Sequence, residues 1–374
     1  MDFYLLALKG VIEQSGFLAL NWPMMTMLLV SFILLYLAIV KEFEPLLLVP
    51  IAFGCLLVNL PLSGIIDEGG FLYFVKIGID HELYPIIIFM GIGALTDFGP
   101  LIANPITFLL GAAAQLGVFF AVIGAMFMGF TIKQAAGIGI IGGADGPTAI
   151  YLCSKVAKEI LPAVAVAAYS YMSLVPLIQP PIIKMLTTKK DRGIKMEQLR
   201  PVSKTERVLF PIISTIACGL VLPASVPLIG MLMFGNLLRE CGQTERLSQA
   251  AQNEVLNATT IFLGIAVGAT MNADSFLTVA TLKIILLGLI TFIFSTAGGV
   301  IFGQFMKVVT KGKINPVIGA AGVSAVPMSA RVCQKVVSKE FPGTYILMHA
   351  MGPNVAGVIG TAVAAGAMLT LLTN

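Results

Sequence analysis

Charge is what this sequence has least of: Asp, Glu, Lys and Arg make up 11% of its 374 residues, where an average soluble domain carries about 25%. So little polar surface cannot cover a water-soluble globule. Histidine occurs twice, and the five cysteines, Cys55, Cys153, Cys218, Cys241 and Cys333, stand singly with no CxxC pair. That excludes a disulfide framework or a Cys/His zinc site, and the cysteines read as small core residues. No GxxxxGK[ST], nucleophile elbow or HExxH is present, which removes the commonest soluble chemistries. Lys+Arg exceed Asp+Glu by only 23 to 19, without a basic face interleaved with aromatics, so no nucleic acid partner is expected. The first 20 residues lack a cationic start and an A-x-A cleavage pattern, and no removable signal is expected there.

What abounds is apolar: 57% hydrophobic residues and a mean hydropathy of +0.96. A simple anchor does not need the 38 Gly and 20 Pro that accompany them, so interrupted helices are expected. Met24 to Val40, Ile106 to Phe130, Leu161 to Leu186, Leu277 to Met306 and Tyr345 to Leu372 approach or exceed the roughly 20 residues that cross a bilayer. Leu46 to Leu60, Pro85 to Leu95, Val208 to Leu222, Val226 to Leu238 and Thr259 to Thr270 are shorter and predict bent or broken spans. Gly137 to Tyr151 and Asn315 to Ala330 are too rich in Gly and Pro for continuous helix, which predicts unwound or re-entrant backbone. Lys184 to Arg207, together with Lys307, Lys311 and Lys313, mark cytoplasmic loops; Asp67, Glu68, Asp80 and Glu82 fit the outside.

The two halves match weakly but in order. Pro50 and Asn59 pair with Pro227 and Asn236, Phe89-Met90-Gly91 with Phe262-Leu263-Gly264, and Pro147 with Pro327, at a nearly constant offset. The basic turn at 307–313 corresponds to the sparsely charged turn at Lys133, and the basic loop 184–207 to the chain end at Asn374. Equivalent loops therefore face opposite sides. The expected fold is an all-α polytopic membrane protein of about ten spanning helices. Its two inverted repeats carry discontinuous helices that meet at the bilayer midplane. The chain is a single membrane domain, 1–374, with repeats over about 22–186 and 208–374 joined by the basic loop 187–207.

An ionisable group inside such segments is a functional candidate by default. Asp145, in Gly142-Gly143-Ala144-Asp145-Gly146-Pro147-Thr148, stands among carbonyls freed by Gly and Pro. A carboxylate with free carbonyls suits a dehydrated Na⁺, which prefers several oxygens; the bland alternative is a solvated surface loop. In the repeat-related stretch, Asn315, Ser324 and Ser329 offer neutral oxygens. Arg331 is either a snorkelling interface residue or a cation that holds an anionic ligand. Tyr169, Tyr171 and His349 read first as packed residues. Asp97, Asn104, Asn354 and Asp274 form a second tier, able to cap helices or to bind an ion. The residues point to a Na⁺- or H⁺-coupled transporter with no visible energy source; a freestanding Na⁺/H⁺ or Na⁺/anion carrier fits equally.

The motifs Glu42-Phe43-Glu44-Pro45-Leu46-Leu47-Leu48, Gly93-Ala94-Leu95-Thr96-Asp97-Phe98-Gly99-Pro100, the run at Asp145, Tyr169-Ser170-Tyr171-Met172 through Gln179-Pro180-Pro181, the stretch 315–331 and Gly352-Pro353-Asn354 together resemble the β subunit of the biotin-dependent, sodium-translocating decarboxylases of anaerobic bacteria. The resemblance covers essentially the whole length. It implies a multi-pass subunit of the bacterial inner membrane that decarboxylates carboxybiotin, exports Na⁺ and takes up an outside proton. It implies as partners a carboxyltransferase α subunit, a biotin carrier subunit and a small membrane anchor subunit, with the membrane subunit itself oligomeric. The chain lacks an Ala-Met-Lys-Met biotinylation site, so biotin would arrive on the separate carrier. By matching motif, Asp145 corresponds to the Na⁺-binding carboxylate, with Asn315, Gly319 and Ser324 in the second functional stretch. Tyr171 corresponds to the proton-delivering tyrosine and Arg331 to an arginine facing carboxybiotin. Compact length favours the methylmalonyl-CoA or glutaconyl-CoA enzymes over the oxaloacetate one, with methylmalonyl-CoA preferred.

Overall fold

The computed structural model describes residues 15–325 and 327–373, without the side chain of Ser173. The first 14 residues, which hold most of the stretch read for a leader, and Asn374, used to compare the loops, lie outside the described residues. The described residues contain helices and no strand.

Helix α1, Trp22–Ile39, begins where the Asn21 side chain accepts the Met24 N–H at 2.9 Å and Pro23 follows, an N-cap with a proline in the first turn. Next come α2, Pro45–Val58, α3, Phe71–Asp80, α4, Leu83–Leu95, and α5, Pro105–Phe127. Two short helices, α6, Ile132–Gly139, and α7, Gly146–Val156, precede the long α8, Leu161–Leu186. The second half supplies α9, Lys204–Val221, α10, Val226–Glu240, α11, Leu256–Ala269, and α12, Val279–Val309. It ends with α13, Met328–Glu340, and α14, Leu347–Thr373.

Small residues decide which helices touch. Helix α2 crosses α11, and α4 crosses α10, at backbone contact distance. A Cβ on Gly268 would lie 2.1 Å from the Ile51 carbonyl, and one on Gly235 would lie 1.9 Å from that of Met90. Lipid tails are as apolar as the helices, so close approach rather than water exclusion drives such pairing. The two crossings are also pinned alike. Asn59 donates to the Met271 carbonyl just past α11 at 2.8 Å, and Asn236 to the Thr96 carbonyl just past α4 at 3.0 Å.

Both Gly- and Pro-rich stretches are broken where expected. After α6 the chain tightens into a 3-10 turn over Ile140–Gly143, then Ala144 takes a left-handed φ of +53° before Asp145 starts α7. In the second half a 3-10 segment, Pro316–Gly322, runs into extended Val323 ahead of α13. Each broken stretch folds back as a hairpin. The first has its ends together, with Gln134 donating to Glu159 at 2.9 Å. Those ends lie at an acidic edge, where Lys155 meets Glu82 at 2.8 Å and Lys158 meets Asp80 at 3.9 Å. The second has its ends at the basic edge, and Glu340 pairs with Arg192 at 2.8 Å.

Among the described residues four helices, α1, α5, α12 and α14, are long and apolar enough to cross alone, and up to six spans result if each bent pair counts as one. The 14 residues of α2 and 15 of α10 fall short of the roughly 20 required. Helix α8, expected as an uninterrupted span, bends by 61° between Met172 and Leu174. Pro176 explains this, because its ring clashes with the carbonyl four residues back and it offers no N–H.

The crossings predict that Gly268→Ala costs about 1–3 kcal/mol through overpacking, read as a lower melting temperature in detergent. Gly230→Ala, whose Cβ would meet nothing nearer than 3.7 Å, should leave the melting temperature nearly unchanged.

Candidate functional site

The tips of the two hairpins touch. The Ser324 N–H donates to the Gly143 carbonyl at 3.0 Å, joining the second broken segment to the first by backbone. Beside this bond lies Asp145, only 5% exposed. Its Oδ1 accepts the Thr148 N–H at 3.1 Å, making it the N-cap of α7. Its Oδ2 accepts the hydroxyls of Ser324 at 3.1 Å and Thr361 at 2.6 Å. No cationic side chain pairs with it among the described residues. The carboxylate instead rests on three donors and on the positive end of α7.

Neighbouring amides shape the tips. Asn354 on α14 donates to the Ala321 and Val323 carbonyls at 2.9 and 2.8 Å. Gln179 on α8 donates to the Ala320 carbonyl at 3.0 Å and to Ser329 at 3.3 Å. Gln115 on α5 donates to the Gly357 carbonyl at 3.2 Å, and its Oε1 would lie 3.5 Å from a Cβ on Gly143. Among the described residues the acceptor oxygens of all three amides are buried without hydrogen-bond partners. Buried oxygens of this kind call for an ion or water, and a carboxylate with neutral oxygens is the donor class of a hard cation.

Of the residues expected here, Asp145 and Ser324 meet directly, and Asn354 and Ser329 support the second tip. Asn315 stands at the other end of the 3-10 segment. Its Oδ1 accepts the Val317 N–H at 3.1 Å, and its amide donates to the Arg192 and Ile194 carbonyls at 3.2 and 2.9 Å. Gly319, midway, lies against Gly299, where a Cβ would fall 2.0 Å from the Gly299 carbonyl. The Tyr171 hydroxyl donates to the Ile285 carbonyl of α12, and its ring packs with Ile141 around Gly288. Tyr169 packs on the first turn of α7 instead: its ring would lie 2.3 Å from a Cβ on Gly146, and its buried hydroxyl has no partner. Arg331 is exposed and makes no ion pair among the described residues. Asp97 accepts the Gly99 N–H at 2.8 Å and Arg207 at 3.1 Å, a cap and an ion pair at the basic edge. Among the described residues no hydrogen bond uses the Asn104 side chain.

Thr361 and Gln115 escaped sequence reasoning. Thr361 lies seven residues after Asn354, two turns along the same face, a spacing that singles it out only once Asn354 is placed at the second tip. Gln115 is a lone amide within an apolar span.

The basic edge anchors the second hairpin. Asp191 accepts Lys307 at 2.8 Å, Gln304 at 3.0 Å and the Thr188 N–H at 2.8 Å. Burial alone would raise its carboxyl, but these hydrogen bonds prevail and hold it well below the usual carboxylate range.

Residues 23–372 match the family of the Na⁺-transporting oxaloacetate decarboxylase beta subunit. The chain is 60% identical to the glutaconyl-CoA decarboxylase subunit beta of Acidaminococcus fermentans, with 100% of this chain and 99% of that one covered. It is also 60% identical to the methylmalonyl-CoA decarboxylase subunit beta of Veillonella parvula, with both chains wholly covered. To the oxaloacetate decarboxylase beta chain 2 of Salmonella typhi it is 49% identical, with 97% of this chain and 98% of that one covered. A match that runs from α1 to the end of α14, through both broken segments, shows that the chain belongs to the Na⁺-transporting oxaloacetate decarboxylase beta subunit family.

Proposed function

We propose that this chain is the membrane subunit of a primary sodium pump, and that Asp145 is the group through which Na⁺ passes. One observation carries the reading: a buried carboxylate with no cation partner among the described residues, set where two broken segments meet and held by the hydroxyls of Ser324 and Thr361. Membership of the family supplies the energy source. Carboxybiotin, when bound, contributes an exergonic loss of CO₂.

The residues divide the work. Asp145, with the hydroxyls of Ser324 and Thr361, holds Na⁺; each hydroxyl turns its lone pairs to the ion when the carboxylate no longer needs its proton. A proton on Asp145 and a Na⁺ beside it exclude one another, so arrival of one expels the other. Tyr171, against the first broken segment at Ile141, delivers that proton from outside. Asn315 and Gly319 fix the path of the second segment, and the exposed Arg331, at the cytoplasmic mouth, faces incoming carboxybiotin.

The architecture belongs to the same proposal. Repeats over about 22–186 and 208–374 are inverted, with about ten spans in the inner membrane of a bacterium and the loop 187–207 in the cytoplasm. Support comes from the paired crossings of α2 with α11 and α4 with α10, from their matching Asn59 and Asn236 bonds, and from hairpins anchored at opposite edges. The names of the relatives, each a subunit or chain of a decarboxylase, support a complex with a carboxyltransferase α subunit, a biotin carrier and a small anchor subunit. Full-length identity of 60% to both acyl-CoA relatives supports a methylmalonyl-CoA or glutaconyl-CoA substrate for that complex.

Asp145→Asn should abolish Na⁺ uptake into inverted vesicles together with Na⁺-dependent decarboxylation; retained Na⁺-dependent turnover would remove its role. Thr361→Val should raise the half-saturating Na⁺ concentration roughly 10–100-fold in a titration of decarboxylation rate, with an unchanged value returning Thr361 to helix packing. In right-side-out vesicles an impermeant maleimide should modify Gln134→Cys and spare Lys313→Cys, above the labelling of the native thiols, with the reverse in inverted vesicles. Labelling from the same side would defeat the inverted arrangement.

A further inference from the structure

At the basic edge a cavity of about 460 Å³ opens between the loop after Arg192, the turn 310–314 and the end of the short helix Gly99–Ala103. Its walls carry Lys195, Arg200, Lys311 and Lys313 against one carboxylate, Glu197. Arg200 is already engaged by Glu206 at 2.7 Å, while the three lysines have no ion pair among the described residues. Lys311 and Gly312 both take a left-handed φ, +54° and +84°. For a lysine that conformation is sterically unfavourable, and it reverses the chain so that Lys311 and Lys313 flank the opening. Strain of this kind gathers where a ligand is held.

His349, in the first turn of α14, also lines the cavity. It is 7% exposed, and its Nδ1 is buried with no hydrogen-bond partner. The unused amide of Asn104 lies on the same wall. Loop lysines alone satisfy the rule that keeps cations in the cytoplasm. That rule does not require them to converge on a cavity with an unpartnered imidazole in its wall. A second hollow shares His349, Met196, Gln198 and Leu199, and continues past Leu347 and Met348 to the exposed Tyr345. The combined site is therefore cationic at one end and thioether- and aromatic-lined at the other. Its first cavity alone falls within the roughly 300–1,000 Å³ of small-ligand sites.

We infer that this cavity binds the carboxylated ureido ring of carboxybiotin, the carboxylate held by Lys195, Lys311 and Lys313 and the ring by His349 and Asn104, with the aliphatic arm along Met196 and Met348. Charge, amide donors and an apolar trough match the three parts of that ligand: an anionic head, a polar fused ring and a hydrocarbon tether. The inference rests on the reading of this chain as the subunit that consumes carboxybiotin, and the experiment separates the two.

Carboxylated biocytin, a biotin–lysine amide without a carrier protein, is the probe, and CO₂ release by the purified complex is measured against its concentration. If the wild-type complex releases no CO₂ from it, the functional reading fails and the site falls with it. If the wild type is active, K195Q/K313Q should raise KM at least tenfold with kcat changed less than twofold. The control K189Q/K190Q removes two exposed lysines of the same loop that do not line the cavity, and should leave KM within twofold. An unchanged KM in K195Q/K313Q, or an equal rise in both pairs, overturns the site while leaving the functional reading intact. His349→Leu should raise KM at least fivefold, and an unaltered KM there removes the histidine from it.

Discussion

Everything in this fold converges on one contact, the touching tips of two broken hairpins at Asp145. A carboxylate moved out of water costs far more than a domain's whole stability unless hydrogen bonds replace its hydration. Here Thr148, Ser324 and Thr361 supply that replacement from three separate elements. The backbone bond from Ser324 to Gly143 fixes the distance over which they act. Ala144 must adopt a left-handed φ for the carboxylate to stand at the helix start, at a cost of about 1–2 kcal/mol. Strain at Ala144 and a buried carboxylate at Asp145, with no cation partner among the described residues, fall on adjacent residues. Such a combination persists only where surrounding structure compels it.

That demand explains the glycine content. The unwound segments lie directly on neighbouring backbone: a Cβ on Gly142 would fall 2.4 Å from the Gly117 carbonyl, and one on Gly299 would fall 2.2 Å from that of Gly319. Backbone carbonyls freed from helical bonding are tolerable in a membrane protein only when buried in protein. Close packing against a glycine face buries each unwound segment. The same economy of size recurs where α2 meets α11 at Gly268 and where α4 meets α10 at Gly235.

How far the sequence revealed this depends on range. The breaks were legible because Gly and Pro act locally, and Asp145 because a charge inside an apolar stretch stands out. Ser324 followed from pairing the two broken stretches. Thr361 did not, since a threonine on an apolar helix is ordinary until the fold brings it 2.6 Å from a carboxylate. Asn315 offered an oxygen, and its amide faces the loop at Arg192 and Ile194 instead, a contact across more than a hundred residues that no local pattern encodes. Tyr169 and Tyr171 are two positions apart on one helix and so point to different faces. Only the packing of α8 decided that the first lies on α7 and the second on α12. The bend in α8 was present in Pro176, but the hydropathy of the whole stretch outweighed it.

The anchoring of the hairpins sets where the two halves part most easily. The first hairpin is closed at its base by Gln134 with Glu159 and by Lys155 with Glu82. The second is tied at its base by Arg192 with Glu340, by Asp191 with Lys307, and by Asn315 to the same loop. Among the described residues, the hydrogen bonds that join the two hairpins at the tips are one backbone bond and that of the Ser324 hydroxyl on Asp145. Local opening follows the fewest contacts, so the weak joint between the hairpins is the proposed ion site itself. A change of charge on Asp145 alters the bond from Ser324 before it reaches any base contact. In the proposed function, occupancy by Na⁺ or by a proton would act on the joint where separation is least costly, with the anchored bases holding each hairpin at its own edge.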